Sequence, residues 1–265
     1  MPINLPRRTL LASLALPGLA QAQARPTLVL VHGAWMGAAV WQRSAAALTA
    51  EGFEVLTPEL PAHGADPTPP EAASLEAYVA AVLAAMGDRP AVVLVGHSFG
   101  GIVASAVAER AAPRVQGLVY VAGYVPASGE SAYALSQRDP DSLVGRYWRQ
   151  ADPARYSPAS IAAEGIVATF CADCSAEDAQ ALVARHRGEP VPPLASPVSL
   201  SAARFGAVPK AYVLTTQDRT ITPAMQRAMI RSAGITRVAE LPTSHSPMLS
   251  APEALARAIV DVMPR

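Results

Sequence analysis

VLVGHSFGGIVASAVAER, residues Val93–Arg110, passes from a β-branched apolar run through a glycine-flanked serine into a helix-like segment. A strand that turns sharply into a helix at Ser98 would hold this serine in a strained backbone conformation, with its hydroxyl raised above the turn. Such a turn needs small residues two positions to either side, and Gly96 and Gly100 supply them, with Gly101 adding room. A phosphate-binding loop of the G-x-x-x-x-G-K-[ST] type is excluded, because the stretch contains no lysine. The spacing of Gly96, Gly100 and Gly101 also does not form a G-x-G-x-x-G dinucleotide fingerprint. Close helix packing on glycine is the remaining structural alternative.

The surrounding chain alternates between the two periods. TLVLVH (Thr27–His32), FEVLTP (Phe53–Pro58), AVVLVG (Ala91–Gly96), VQGLVYVAG (Val115–Gly123), KAYVLTTQD (Lys210–Asp218) and TRVAELP (Thr236–Pro242) read as strands. Helical stretches separate most of them, at 39–52, 74–87, 99–112 and 223–234, and a last one closes the chain at 251–263. Strand–helix repetition implies right-handed crossovers and a mainly parallel six-stranded sheet with helices on both faces, an α/β fold. The alternation lapses after the fourth strand, where proline, serine and arginine accumulate. A stretch this long is no simple connection, so residues 125–204 read as a lid inserted into a core made of 25–124 and 205–265. It is expected over the carboxyl ends of the strands, where open α/β sheets bind ligands.

A serine hydroxyl is a weak nucleophile unless a base takes its proton and an acid orients that base. In a fold with this elbow the chain order is serine, acid, histidine, with the last two on loops after late strands. Asp218 ends the fifth strand run, and His245 follows the sixth after Thr243 and Ser244. His97 adjoins Ser98 and is expected to point away from its hydroxyl. His32 reads as a buried hydrogen-bonding residue, His63 lies in a proline-rich loop and His186 in the lid. The backbone N–H after the serine, that of Phe99, and one from the loop after the first strand, that of Ala34, are the candidate oxyanion donors. These parts need no metal and no organic cofactor.

Composition bounds the remainder. With 265 residues, 51% of them hydrophobic and 16% charged, the chain has enough apolar side chain for one large core. Equal totals of 21 basic and 21 acidic residues remove the global electrostatic argument for nucleic acid or an anionic membrane as partner. LPRRTLLASLALPGLAQAQA (Leu5–Ala24) has the basic, apolar and small-residue regions of an export signal. The Arg7-Arg8 pair suits a twin-arginine route to the periplasm, with cleavage expected after Ala24 and no membrane span in the mature chain. Cleavage takes away two arginines and no acid, so the mature chain is mildly acidic. Cys171 and Cys174 lack the partners of a zinc site; a small disulfide and two packed thiols both fit them.

LVHGAW, VLVGHSFGG, DCSAED, TTQDRTI and SHSPMLSAPEALA together resemble the α/β-hydrolase branch that holds plant methyl-ester esterases, hydroxynitrile lyases and related bacterial esterases. The resemblance runs from about Thr27 to the C-terminus and is weakest in the lid. It implies a serine esterase using Ser98, Asp218 and His245 on a small or medium carboxylic ester. The lyases of this branch carry a threonine after the first strand and a lysine after the histidine. Gly33 and Ser246 stand at those positions here, which favours the esterase side. Cyanohydrin cleavage and a non-catalytic ligand receptor are the alternatives. Trp35 and Tyr124 are candidate pocket walls, and either is equally suited to core packing.

Overall fold

The structure, a computed structural model, describes Met1 and residues 25–155 and 157–264. Residues 2–24, on which the export signal is read, lie outside the described residues. Six parallel strands form the central sheet: β1 (Thr27–Val31), β2 (Val55–Leu56), β3 (Val92–His97), β4 (Val115–Val121), β7 (Lys210–Thr215) and β8 (Arg237–Leu241). Their order is β2-β1-β3-β4-β7-β8. The continuous apolar runs of β1 and β3 are buried along their whole length, as strands covered on both faces must be. Six strands in parallel meet the expectation from the alternating sequence.

Helices α1 (Gln42–Ala50), α2 (Leu75–Met86), α3 (Gly100–Ala111), α9 (Pro223–Ser232) and α10 (Pro252–Val262) flank the sheet. Ser74 caps α2 by accepting the Ala77 N–H, and Gly87, at φ +51°, ends it. The expected first helix begins as a 3-10 turn, Ala38–Trp41, before becoming α-helical. Strand β2 is shorter than its sequence suggests. It is an edge strand that pairs only through Val55 and Leu56, and Pro58 has no N–H with which to extend the ladder.

Between β4 and β7 lies the cap: α4 (Ala132–Ser136), α5 (Leu143–Tyr147), a small antiparallel pair β5 (Trp148–Gln150) and β6 (Ala159–Ile161), then α6 (Ala163–Phe170), α7 (Ala176–Arg185) and α8 (Val191–Ala195). Cys171 and Cys174, just after α6, are joined in a disulfide.

The glycines around Ser98 are fixed by close backbone approach. A Cβ on Gly100 would stand 2.5 Å from the Val31 carbonyl oxygen and 2.6 Å from that of His32. These atoms lie at and just past the end of β1, so they cannot retreat without disturbing the sheet. Gly100→Ala is therefore expected to cost roughly 1–3 kcal/mol or more, lowering Tm by about 2–4 °C per kcal/mol. Calorimetry beside Gly145→Ala, where a Cβ meets nothing within 4 Å, checks this; the control should hold the parent Tm.

Candidate active site

Ser98 sits between the last residue of β3 and the first turn of α3, at φ +53°. Left-handed backbone costs a non-glycine residue about 1–2 kcal/mol, and three hydrogen bonds hold it there. The Ser98 N–H donates to the Val121 carbonyl at 3.2 Å, and the Ser98 carbonyl accepts the N–H groups of Gly101 and Tyr124, both at 3.0 Å. Strand β4 and the start of α3 thus lock the turn from two sides.

Asp218 and His245 arrive on the loops after β7 and β8, at the same end of the sheet. His245 Nδ1 donates to Asp218 Oδ2 at 2.8 Å, and both side chains are buried. Oδ2 also accepts from Thr215 Oγ1 (2.9 Å) and Gln226 Nε2 (3.0 Å), while Oδ1 accepts the N–H groups of Thr220 (2.7 Å) and Ile221 (3.0 Å). Five donors on two oxygens fix the plane of the group.

His97 points inward beneath this pair, with its ring centroid 4.6 Å from that of His245. Its Nε2 donates to the His245 carbonyl at 2.9 Å. Burial, reinforced by His245, pushes its pKa well below the usual histidine value, so it is a neutral prop for the loop. His32 is also neutral. Its Nε2 accepts the Leu60 N–H and its Nδ1 donates to the Gly33 carbonyl, and burial lowers its pKa. The Glu59 oxygen 3.2 Å from that Nε2 is therefore no ion-pair partner.

Opposite Ser98 runs the loop after β1. A Cβ on Gly33 would lie 2.8 Å from Ser98 Cβ, so the bare backbone of Gly33 is what lets the loop reach the serine. Ala34 and Phe99 are buried, and their N–H groups have no hydrogen-bond partner among the described residues. Trp35 follows at φ +60°. Ala34, Trp35, Ser98, Phe99 and Tyr124 line one cavity of about 40 Å³, with Val144, Trp148 and Leu194 of the cap also on its wall. Trp35 and Tyr124, which the sequence left between pocket and core, are both buried and both border the cavity.

The cap contributes polar groups that the sequence did not reveal. Asp173 accepts the N–H of Ser244 at 3.0 Å and also its hydroxyl, steadying the residue before His245. Thr220 Oγ1 donates to the Thr169 carbonyl at 2.7 Å, and Asp139 accepts the N–H and hydroxyl of Thr222, both at 2.7 Å. Glu189 accepts the N–H of Trp35 at 2.6 Å. Each bond joins segments far apart in the chain; DCSAED contains Asp173 and TTQDRTI contains Thr220, but neither motif shows the partner. Cys171, Asp173 and Cys174 bring three metal-ligand atoms together, but the sulfurs are bonded to each other and the carboxylate is occupied by Ser244.

The sequence matches the alpha/beta hydrolase family over residues 28–258. The chain belongs to this family. Among its relatives, a carbendazim hydrolyzing esterase from Nocardioides sp. (strain SG-4G) is 42% identical over 110 residues, which are 40% of this chain and 46% of that enzyme. Methylesterase 7 of Arabidopsis thaliana is 29% identical over 247 residues, 88% of this chain and 95% of that protein. The crystal structure of polyneuridine aldehyde esterase has the same fold, with a TM-score of 0.80 at 24% identity over 90% of this chain and 99% of that one. Within this hydrolase a side chain at Gly33 would meet Ser98, and Ser246 is a buried, uncharged hydroxyl.

Proposed function

We propose that this hydrolase cleaves small to medium carboxylic esters through an acyl-enzyme on Ser98. The observation that carries the reading is the buried 2.8 Å hydrogen bond from His245 to a fully satisfied Asp218, at the sheet end where Ser98 occupies a left-handed turn. With Nδ1–H donated to Asp218, Nε2 of His245 is the nitrogen free to act as base. It takes the Ser98 proton as Oγ attacks the ester carbonyl, and Asp218 stabilises the imidazolium that forms. The N–H groups of Ala34 and Phe99 receive the oxyanion of the tetrahedral intermediate. The imidazolium then protonates the departing alkoxide, and a water deprotonated by the same nitrogen releases the carboxylic acid. Esterase names among the relatives support the bond type.

Trp35 and Tyr124 are assigned to the acyl or alcohol pocket. A cavity of about 40 Å³ is far below the roughly 300–1,000 Å³ of ordinary ligand sites, so short acyl groups are favoured unless the cap shifts. Neither Gly33 nor Ser246 supplies what cyanide departure needs, which speaks against the lyase reading. A panel of p-nitrophenyl esters of increasing acyl length, with fluorophosphonate labelling of the serine, tests the proposal. Turnover should be highest for the shortest acyl groups, with one labelled serine per chain. Cyanide release from a cyanohydrin without ester turnover would make it a lyase, and ligand binding with no turnover a receptor.

We also propose that residues 1–24 direct export to the periplasm and are then removed. Support comes from Arg7-Arg8, the apolar run after them and the Ala22-Gln23-Ala24 terminus of that segment. N-terminal sequencing of periplasmic protein should begin at Arg25; a cytoplasmic protein beginning at Met1 or Pro2 would refute it.

A further inference from the structure

Behind the loop that carries Ala34 lies a buried charged pair for which the reaction above has no use. Glu189 belongs to the cap and is fully buried. Its Oε2 accepts the Trp35 N–H at 2.6 Å and also meets His63 Nε2 at 2.8 Å. The other ring nitrogen of His63 lies 3.0 Å from the Pro61 carbonyl. A carbonyl and a carboxylate only accept, so His63 satisfies both contacts only when both its nitrogens carry protons. His63 is therefore the donor in both contacts, an imidazolium facing Glu189. In agreement, the pKa of His63 is raised: burial opposes its charge, but Glu189, the Pro61 carbonyl and Glu59 together outweigh burial.

Buried ion pairs rarely stabilise a fold beyond what apolar residues of similar size would do. Here Glu189 Oε1 has no hydrogen-bond partner among the described residues, so stability gives a poor reason for this carboxylate. Its contacts suggest a different one. Trp35 is gripped twice by the same piece of cap: Glu189 takes its N–H, and the Ala159 carbonyl takes its indole Nε1–H at 3.0 Å. Ala159 and Glu189 are themselves bridged, N–H to carbonyl in both directions, at 2.9 and 2.7 Å. The loop they hold has a glycine at 33 and positive φ at 35, and it lies beyond the end of the β1 ladder. His32 holds the Gly33 carbonyl and with it the Gly33–Ala34 peptide; the next peptide, Ala34–Trp35, is held through its N–H by the cap.

We propose that Glu189 is a positioning residue for the oxyanion hole, holding the Ala34–Trp35 peptide so that the preceding Ala34 N–H faces the carbonyl attacked by Ser98. His63, bonded to the same oxygen, keeps the carboxylate aimed. The oxyanion hole is thereby completed by the cap, and a displaced cap leaves the hole slack. The proposal rests on the assignment of Ser98, Ala34 and Phe99 made above.

The test compares the full chain with Glu189→Gln, Glu189→Ala and Ser98→Ala. The measurements are Tm, kcat and KM for p-nitrophenyl acetate, and the rate constant for phosphonylation of Ser98 by a fluorophosphonate, each per folded molecule. The phosphoryl oxygen of that reagent enters the same hole, so its reaction reports the donors without ester turnover. Loss of one oxyanion donor costs about 10²–10³-fold, and a misaimed donor should cost part of that. Glu189→Ala is expected to lower kcat and phosphonylation together by about 10–100-fold, with KM changed less than about threefold. Glu189→Gln keeps an acceptor oxygen for the Trp35 N–H and should fall between Ala and parent. Phosphonylation at the parent rate in the folded variants, or a change confined to KM, overturns the proposal. If Glu189→Ala does not fold, the rate of Glu189→Gln decides alone. Ester turnover surviving in Ser98→Ala would instead remove the assignment on which the proposal stands.

Discussion

Ser98→Ala is expected to lower kcat for a short-chain p-nitrophenyl ester by about a millionfold, with fluorophosphonate labelling abolished. The size of the loss follows from the covalent route: without Oγ there is no acyl-enzyme, and His245 and the oxyanion donors have no attacking atom to serve. The fold should survive. Alanine and serine pay a similar penalty for φ +53°, and the bonds that hold the turn involve the backbone of residue 98, not its side chain. An unchanged Tm with vanished turnover therefore separates chemistry from folding. Turnover within tenfold of the parent would remove Ser98 as nucleophile.

Asp218→Asn is the second large effect, expected at roughly 10⁴-fold in kcat. The asparagine oxygen is drawn to the Oδ1 position, where the Thr220 and Ile221 N–H groups need an acceptor. The amide NH₂ then replaces Oδ2, facing His245 Nδ1 and the Gln226 amide. A donor facing Nδ1 selects the tautomer with the proton on Nε2, and that nitrogen cannot take the Ser98 proton. The clash of two NH₂ groups should also lower Tm by a few degrees, which calorimetry would register beside the kinetics. Parent-like kcat in a folded Asp218→Asn protein would mean that another group orients His245.

The triad candidates were readable because each sits at a boundary that periodicity marks. Ser98 lies where a continuous apolar run gives way to helix, and Asp218 and His245 lie just past late strands. In a parallel sheet the strands all point one way, so their carboxyl ends must gather on one edge. The glycines flanking Ser98 were readable for a related reason, since a missing side chain next to a sharp turn signals close packing. His97 was placed only in part. Its neighbourhood with Ser98 was evident, but its bond to the His245 carbonyl depends on how two loops settle against each other.

What the sequence by itself determined is the parallel sheet, the insertion after its fourth strand, and the elbow with its two partner loops. These follow from local periodicity, glycine placement and the one-way direction of parallel strands. Only the tertiary structure decided how the cap completes the site. Trp35 meets Glu189 across 154 positions, His63 meets it across 126, and Ser244 meets Asp173 across 71. A lone buried carboxylate in a proline-rich stretch has no periodic signature. Its partner is set by where the cap lands on the core, and that is fixed by the packing of the whole chain.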